Sequence, residues 1–456
     1  MNIIEILKNQ KKYFSTNVTK DYSFRMMMLK NLKMAIVNHE DEIIEALAKD
    51  LKKPEFESYA TEIGIVYEEL EFALDNLKEW MKPVKVKTTI VHKPAKSFYM
   101  WEPKGVSFIM APWNYPFHLI MTPLIGSIAA GNTSIVKPSD QTKHTADIVE
   151  KILKNTFKEE YIYVLKGDRE SSNLLLDQPL DHIFFTGSSN VGKFIMKKAA
   201  QNLVPVTLEL GGKSPCIVDK EVDIDIAAKR IVWGKLINTG QTCTAPDYIV
   251  VHKDVKDKLI KLLIKYIDKF YSKHSKKESD LSRIINEKHH TRLVNLIEGQ
   301  EVVYGGDHSI EDLYIEPTII NNVSWTNTIM EEEIFGPIFP IIEYTDIEYV
   351  IERIREKPKA LALYIFSENQ DVIQNILNNI SFGGGCINDT MSHVGNPHLP
   401  LGGVGHSGMG KYHGQKSFEV FSNQKGIMDK STKFDLKLKY PPYTKKKLGL
   451  LRKVFK

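Results

Sequence analysis

The spacing of hydrophobic and polar positions changes along the chain. Within the first 82 residues, apolar side chains recur every three or four positions over Tyr22 to Leu51 and again over Glu57 to Met81. This spacing predicts helices, and Pro83 ends the second of them. Residues 84–103 alternate instead and predict extended strands, too polar for a core sheet. We therefore expect this stretch at a sheet edge or in an arm between subunits.

From residue 105, short apolar runs alternate with amphipathic stretches. Strands are predicted at Val106–Met110, Ser134–Lys137, Tyr161–Leu165, His182–Phe185, Pro215–Val218, Ile249–His252, Thr318–Ile320, Ile338–Ile342, Ala362–Phe366 and Cys386–Asn388. Helices are predicted near residues 115–130, 141–156 and 189–201, and at Ile224–Asn238 and Val255–Phe270. This alternation favours an α/β fold with a parallel, doubly wound sheet, followed by a second α/β block.

Length and composition place the chain among large globular proteins. Its 456 residues with 42% hydrophobic content predict two or three domains. The three cysteines, Cys216, Cys243 and Cys386, give no disulfide framework and suit a reducing cytoplasm. The N-terminus lacks the layout of a signal peptide, and no run of about 18 apolar residues occurs. We expect a cytoplasmic protein.

Charge is distributed unevenly along the chain. The net charge is +4, but residues 430–456 carry +9, which leaves −5 for the remainder. A mildly acidic body without a basic, aromatic-rich face argues against a nucleic-acid partner. Residues 445–456 are basic and apolar together, so a helix there could make a peripheral contact with an anionic membrane. The alternatives are a solvated tail or a tail packed on a partner subunit.

Two short stretches carry groups suited to covalent catalysis. Gly240-Gln241-Thr242-Cys243 offers a thiol in a loop of small residues, and Glu209 offers a carboxylate just before two glycines. A thiol that attacks a carbonyl and a carboxylate that activates water suffice for catalysis through a thioester. Each stretch alone is more often structural: a lone cysteine is more often a small buried residue of the core, and a glutamate before two glycines is more often a strand end.

Other sequence patterns do not support further sites. Residues 187–194 match a phosphate-binding loop except at Phe194, where Ser or Thr would be needed to ligate Mg²⁺. Residues 403–408 read GxGxxG, but no predicted strand precedes them. His289-His290 and the other histidines lack metal-ligand spacing, so no metal site is expected.

Seven segments together resemble the aldehyde dehydrogenases, and the resemblance is closest to the class 3 branch, which acts on fatty or aromatic aldehydes. It extends over about residues 15 to 443. The segments, in family order, are Ala111–Pro116, Val136–Ser139, Phe185–Ser188, Leu208–Ser214, Gly240–Cys243, Glu332–Pro337 and Pro400–Gly403. The 34-residue separation of Glu209 and Cys243 also fits the family.

The resemblance implies an α/β fold in three parts. A Rossmann-type cofactor domain is expected at residues 1–83 and 104–208, and an α/β catalytic domain at 209–390. Residues 84–103 and 391–456 would form a small β arm for dimerisation and the basic C-terminal tail. A homodimer is therefore expected.

The resemblance also implies the catalytic residues. Cys243 would be the nucleophile. The side-chain amide of Asn114 and the backbone N–H of Cys243 would stabilise the oxyanion. Glu209 would activate the water that hydrolyses the thioester. Without the resemblance, Asn114 reads equally well as a turn residue.

NAD is the cofactor implied by the resemblance, with NADP as the alternative. The expected cofactor-binding residues are Trp113, Lys137, Asp140, Thr186, Gly187, Ser188, Glu333 and Phe335. Lys137 and Glu333 resemble the family's ribose-binding residues, and Phe335 would pack beside the nicotinamide. A carboxylate at Asp140 could accept from a ribose hydroxyl and would repel a 2′-phosphate, which favours NAD.

The expected substrate pocket departs from the family at one position. It would be lined by Tyr115, Trp233, Thr242 and Leu401, whereas the family usually has Phe at the last of these. We expect NAD(P)-dependent oxidation of a medium- or long-chain, isoprenoid or aromatic aldehyde to the acid. Two alternatives stay open: a CoA-acylating dehydrogenase, against which Glu209 argues, and a catalytically silent binding or structural relative.

Overall fold

The structure is a computed structural model that describes residues 3–167, 169–271 and 280–455. The helices of this part of the chain are α1 Ile3–Ser15, α2 Tyr22–Asn38, α3 Glu40–Leu51, α4 Glu55–Ser58, α5 Gly64–Trp80, α6 His118–Ala130, α7 Lys143–Thr156, α8 Arg169–Leu176, α9 Ser189–Ala200, α10 Ile224–Leu236, α11 Lys253–Tyr271, α12 Glu287–Ile297, α13 Ile347–Glu356, α14 Gln370–Asn379, α15 Gln415–Val420 and α16 Lys445–Val454. The strands are β1 Val84–Val86, β2 Ala95–Pro103, β3 Val106–Met110, β4 Thr133–Lys137, β5 Ile162–Val164, β6 His182–Thr186, β7 Val206–Glu209, β8 Pro215–Val218, β9 Tyr248–His252, β10 Val302–Tyr304, β11 His308–Ser309, β12 Tyr314–Ile315, β13 Thr318–Ile320, β14 Ile338–Tyr344, β15 Ala362–Phe366, β16 Gly384–Ile387, β17 Gly408–Met409 and β18 Ser422–Lys430.

A six-stranded sheet organises the first half of the chain. Its order is β17-β7-β6-β3-β4-β5, and all neighbours are parallel except β17, which runs antiparallel to β7. One face packs against the long helices that precede and follow β3, and the other packs against α1, α8 and α9. Helices on both faces explain why strands such as Val106–Met110 are buried throughout. The predicted doubly wound parallel sheet is confirmed.

A seven-stranded sheet forms the second block. Its order is β10-β13-β14-β9-β8-β15-β16, parallel except where β10 meets β13. Apolar clusters lie on each side of it, one with α13 and α14 and the other with α10 and α11. The sheet starts at Pro215, six residues after the first sheet's β7 ends at Glu209. Glu209 thus lies where the chain leaves one sheet for the next.

A third, three-stranded sheet joins residues 84–103 to the C-terminal part of the chain. The nine residues of β18 pair antiparallel with β2, from Ser422 opposite Pro103 to Lys430 opposite Ala95, and β1 pairs with the other side of β2. The extended character of residues 84–103 was predicted, whereas β18 was not. The domain boundaries at residues 83, 103, 208 and 390 stay a prediction.

The structure also corrects some boundaries. The helical stretch from Tyr22 to Leu51 is divided at His39, where α2 ends and α3 begins. Helix α10 ends at Leu236 rather than Asn238, because Asn238 has a left-handed φ of 51°. Among the described residues, no helix has the length and apolar character needed to cross a membrane.

Candidate active site

The loop that precedes Cys243 has an unusual backbone. Asn238 and Thr239 both have left-handed conformations, with φ of 51° and 55°, although neither is glycine. Such residues persist only when surrounding contacts hold them. Gly240 follows with φ of 75°, and a Cβ there would collide with the carbonyl of Gly336. Only glycine fits this close approach.

Gln241 holds this loop in place from inside the protein. Its side chain is fully buried and donates to the carbonyls of Asn238 at 3.1 Å and Arg283 at 3.0 Å. Its side-chain oxygen accepts from the backbone N–H of Ile285 at 3.1 Å. With donors and acceptor satisfied, Gln241 fixes the backbone two residues before Cys243.

The thiol of Cys243 is half-buried and lies near two carboxylates. Burial, and after it the nearby carboxylates of Glu333 and Glu209, raise its pKa to about 12. The backbone N–H groups of Cys243 and Thr244 act in the opposite direction. The thiol is therefore protonated at neutral pH in this state, and a proton acceptor is needed before it can attack.

Asn114 lies against the loop that carries Cys243. Its buried side-chain amide donates to the carbonyl of Gln241 at 3.0 Å. Its own backbone carbonyl accepts from the side-chain amide of Asn238 at 2.8 Å. The structure thus brings the predicted oxyanion donor next to the segment that carries the predicted nucleophile.

The residues predicted to line the substrate pocket have different surroundings. The hydroxyl groups of Tyr115 and Thr242, both buried, share a hydrogen bond of 2.6 Å. Leu401 is also buried, and its backbone pairs with Tyr412. The side chain of Trp233, by contrast, is 43% exposed on α10. The lining of the pocket by these four residues stays a prediction.

Glu209 lies at the end of β7, beside the antiparallel strand β17. It is buried, and among the described residues its Oε1 has no hydrogen-bond partner. Burial raises the pKa of this carboxyl well above its usual value, while Lys411 and the N–H of Gly403 oppose the rise. A Cβ on Gly402 would approach Oε1 to 2.7 Å, so the adjacent glycine leaves space beside this oxygen. An unpaired buried carboxylate oxygen suits a group that exchanges a proton with water.

Glu333 and Phe335 lie in the loop that precedes β14, and Glu333 is near enough to Cys243 to raise the pKa of its thiol. The carboxylate of Glu333 lies directly over Gly211, where a Cβ would collide with it. Burial and the neighbouring Asp247 raise its pKa to about 8, against the N–H of Gly212. Phe335 has a left-handed φ of 55°, and its ring meets the ring of Trp113 edge-on at 5.4 Å. The strained aromatic residue Phe335 suits contact with a flat ring of a ligand. The half-buried carboxylate of Glu333 suits hydrogen bonds from ligand hydroxyl groups.

The remaining predicted cofactor residues lie at the carboxyl ends of parallel strands. Lys137 ends β4 and its ammonium pairs with Asp140 at 2.9 Å. Thr186 ends β6, and its buried hydroxyl has no partner among the described residues. A Cβ on Gly187 would approach the ring of Phe185 to 2.5 Å, and Ser188 is the N-cap of α9. Ligands of doubly wound folds bind at this edge, so these residues fit a dinucleotide.

Several residues near the site were not predicted from the sequence. Lys53 and Glu62 form an ion pair of 2.7 Å with both side chains fully buried, and Lys53 lies 4.3 Å from the ring centre of Tyr115. Lys411 lies close enough to Glu209 to oppose the rise in its pKa. Charges in an amphipathic helical pattern usually predict a solvated face, so the sequence carried no signal for the buried pair.

No grouping of three or more His, Cys, Asp or Glu side chains able to hold a metal ion occurs in the described residues. The cysteines Cys216, Cys243 and Cys386 are all free thiols.

Comparisons with known proteins find similar sequences and a similar fold. The description of the aldehyde dehydrogenase family matches residues 2–427. The chain is 47% identical to the 4,4'-diaponeurosporen-aldehyde dehydrogenase of Staphylococcus aureus, over 100% of both proteins. It is 41% identical to the "Aldehyde dehydrogenase, dimeric NADP-preferring" of Canis lupus familiaris, over 96% of this chain and 98% of the relative. The solved structure "Substrate bound state of Staphylococcus Aureus AldH" has a TM-score of 0.97 at 47% identity, covering 100% of both chains.

Proposed function

The chain belongs to the aldehyde dehydrogenase family, and on that premise we propose how its residues act and which aldehyde it accepts. The protein is an oxidoreductase that oxidises aldehydes with NAD or NADP. The observation that carries the proposed mechanism is the grouping of Cys243 with the amide of Asn114 and two carboxylates of raised pKa. A silent relative would have no need to keep these groups together.

In the first step the sulfur of Cys243 attacks the aldehyde carbon, and its proton passes to a nearby carboxylate. The acceptor is the ionised form of Glu209 or Glu333, which the raised pKa makes a stronger base than an ordinary glutamate carboxylate. Negative charge then develops on the former aldehyde oxygen. The amide of Asn114 and the backbone N–H of Cys243 donate to that oxygen.

The residues that would hold the cofactor are Lys137 and Thr186, at the ends of β4 and β6, and Glu333 and Phe335, in the loop before β14. The chemistry that NAD or NADP supplies when bound is acceptance of a hydride from the substrate carbon. The thioester that remains on Cys243 must be cleaved by water. Glu209 takes a proton from that water, and its unpaired Oε1 is the oxygen that does so.

We infer that the preferred substrate is a long, apolar aldehyde. The 47%-identical relative bears the name of a diaponeurosporene-derived aldehyde, a long isoprenoid. Leucine at position 401, where the family usually has phenylalanine, would leave more room beside the nucleophile for a chain. Tyr115 also packs with Leu119 and Ile237 in an apolar cluster next to the loop.

A homodimer is proposed from the small sheet. β18 is nine residues long and is an edge strand of that sheet, with Ile427 and Met428 exposed. An exposed edge strand of this length is a template for pairing with another chain. The name of the canine relative includes the word "dimeric", which supports the same assembly here.

A cytoplasmic location with peripheral membrane contact is proposed from the basic tail. α16 begins after Thr444, whose side chain accepts from the N–H of Lys447, and Leu448, Leu451 and Phe455 are exposed. Exposed apolar side chains among cations suit an anionic membrane surface. Lys456 lies outside the described residues. A surface-bound enzyme would meet long apolar aldehydes where they concentrate.

The experiment is a panel of saturated and isoprenoid aldehydes of rising length, with NADH absorbance as the readout. We expect kcat/KM to rise with chain length. The matched control is Cys243→Ser, which should lose turnover but still bind NAD, because an alcohol is far less nucleophilic than a thiol near neutral pH. Retention of a tenth of wild-type turnover by Cys243→Ser would reject the nucleophile. A preference for short aldehydes would reject the substrate class alone.

A further inference from the structure

A short segment near the N-terminus contacts both the turn that carries Asn114 and the loop that carries Cys243. It runs from Lys53 through α4 into a π-helical turn at Tyr59–Ile63. Three charged residues in it, Lys53, Glu57 and Glu62, reach the backbone around Asn114 or around Asn238. We call these three residues the brace. Wide turns of this type are frequent at functional sites, where they change which side chains face a given direction.

Glu62 holds the turn that carries Asn114. Its Oε2 accepts from the backbone N–H groups of Phe117 at 3.1 Å and His118 at 2.9 Å. Its Oε1 pairs with the ammonium of Lys53, which also lies 3.5 Å from the carbonyl of Asn114. A fully buried ion pair is costly unless every group is satisfied, and here the carboxylate has three donors.

Glu57 holds the loop that carries Cys243. Its Oε1 accepts from the backbone N–H of Asn238 at 2.8 Å and from the hydroxyl of Ser282 at 3.4 Å. Asn238 is one of the two left-handed residues of that loop, and its side chain donates to the carbonyl of Asn114 at 2.8 Å. Glu57 therefore acts on a residue that links both catalytic segments.

We propose that Lys53, Glu57 and Glu62 are positioning residues that set the placement of the Asn114 amide relative to Cys243. The proposal rests on the proposed roles of Asn114 and Cys243. The brace touches neither of their reactive atoms; it acts on the backbone on either side of them. Packing alone does not account for charged groups at these positions, because apolar residues of similar volume would fill the same space without desolvating charges.

The first experiment is a double-mutant cycle between the brace and Asn114. Glu57→Ala is expected to lower kcat by roughly 10- to 100-fold, the scale of a small misplacement of a catalytic group. Asn114→Ala should lower kcat by about 10²–10³-fold. In the Asn114→Ala background, Glu57→Ala should cost less than about threefold, because the amide it positions is already absent.

The charge-neutral pair Lys53→Met with Glu62→Gln provides the second arm. Changing both residues avoids leaving one buried charge unpaired. We expect the same loss of kcat and the same loss of effect in the Asn114→Ala background. Alkylation of Cys243 by iodoacetamide should stay within about twofold of wild type, because that reaction develops no oxyanion to be stabilised.

The matched control is Glu55→Ala, on the same short helix but exposed to solvent, which should keep wild-type kcat. Thermal unfolding midpoints and NAD binding verify that each variant is folded. If the variant with Lys53→Met and Glu62→Gln does not fold, the double-mutant cycle with Glu57→Ala tests the same proposal.

The positioning role of the brace would be overturned if its substitutions lowered kcat equally in the wild-type and Asn114→Ala backgrounds. Wild-type kcat in the brace variants would overturn it as well. Full activity of Asn114→Ala would instead reject the oxyanion role itself, which is a separate failure.

Discussion

The side-chain amide of Asn114 donates to the carbonyl of Gln241, two residues before Cys243, across 3.0 Å. One N–H of the amide is used in this bond, and among the described residues the second makes no hydrogen bond. The proposed oxyanion donor is thus oriented by the loop that carries the proposed nucleophile. Donors fixed in advance stabilise developing charge without reorganisation at the moment of reaction.

Glu209→Gln should trap the acyl-enzyme. Glutamine keeps the size of the side chain but does not accept the proton of the attacking water. We expect one NADH per active site to form as a burst, followed by steady turnover reduced by roughly 10²–10⁴-fold. Stopped-flow absorbance of NADH measures both phases.

The control for that variant is mass spectrometry of the protein after the burst, which should show the acyl mass on Cys243. If the burst also disappears, Glu209 acts before the hydride leaves the substrate. The same variant tests whether CoA takes the place of water, since added CoA should then restore steady turnover.

The strand pattern could be predicted from the sequence because buried parallel strands are short runs of mainly apolar residues. Val106–Met110 and Pro215–Val218 were predicted at their observed bounds. The strand Ser422–Lys430 was missed because it is mostly exposed and polar, so its pairing with β2 leaves no hydrophobic alternation.

The sequence offers candidates for the site where a residue type is itself reactive, and offers none where a residue is proposed to act by position. Cys243 and Glu209 stand in small-residue segments that a reader of the sequence can recognise. The buried pair of Lys53 and Glu62 lies in a helical region whose charges read as solvated. A π-helical turn at Tyr59–Ile63 shifts the helical register, so the regular spacing of the sequence does not predict that Glu62 faces inward. The inward orientation of the pair is visible only in the folded structure.

The reactivity of the thiol should depend on pH in a particular way. With the pKa of Cys243 near 12, alkylation by iodoacetamide without cofactor should accelerate about tenfold per pH unit and show no plateau up to pH 10. An ordinary thiol with a pKa of about 8.5 would level off above about pH 9. Above about pH 8, where Glu333 is ionised, Glu333→Gln removes a negative charge beside the thiol, lowers the pKa of the thiol and should speed alkylation.

Peptide mapping after alkylation distinguishes Cys243 from the half-buried Cys386. Cys243→Ser is the control and should lose the label at position 243. A plateau below pH 9 in the wild type would show that the thiol is not raised in pKa. Slower alkylation of Glu333→Gln would contradict the electrostatic effect of that carboxylate.

Asp140→Asn should shift the cofactor preference towards NADP. The carboxylate of Asp140 would repel the 2′-phosphate of NADP. It also pairs with the ammonium of Lys137, the cation that would otherwise be free to bind that phosphate. We expect the ratio of kcat/KM for NADP to that for NAD to rise by about tenfold, which corresponds to about 1.4 kcal/mol.

The control for cofactor preference is Asp147→Asn, which makes the same change of charge at an exposed position on α7 paired with Lys166. Its ratio should stay at the wild-type value. An equal shift in both variants would assign the effect to overall charge rather than to Asp140.

The tail should bind membranes through charge and apolar contact together. Full-length protein should cosediment with vesicles that contain anionic lipid at low salt, and high salt should release it, because cations near a surface are screened by ions. A chain that ends at Tyr443 should stay in solution. A variant with Leu448→Ser, Leu451→Ser and Phe455→Ser keeps every cation but loses the exposed apolar side chains of α16.

We expect that variant to bind more weakly than the full-length protein, since apolar insertion adds to electrostatic attraction. Neutral vesicles should bind none of the three proteins strongly. Equal binding by full-length and truncated protein at low salt would show that the tail does not contact the membrane. It would also remove one of the supports for a long apolar aldehyde, because the enzyme would then have no special access to substrates dissolved in the bilayer.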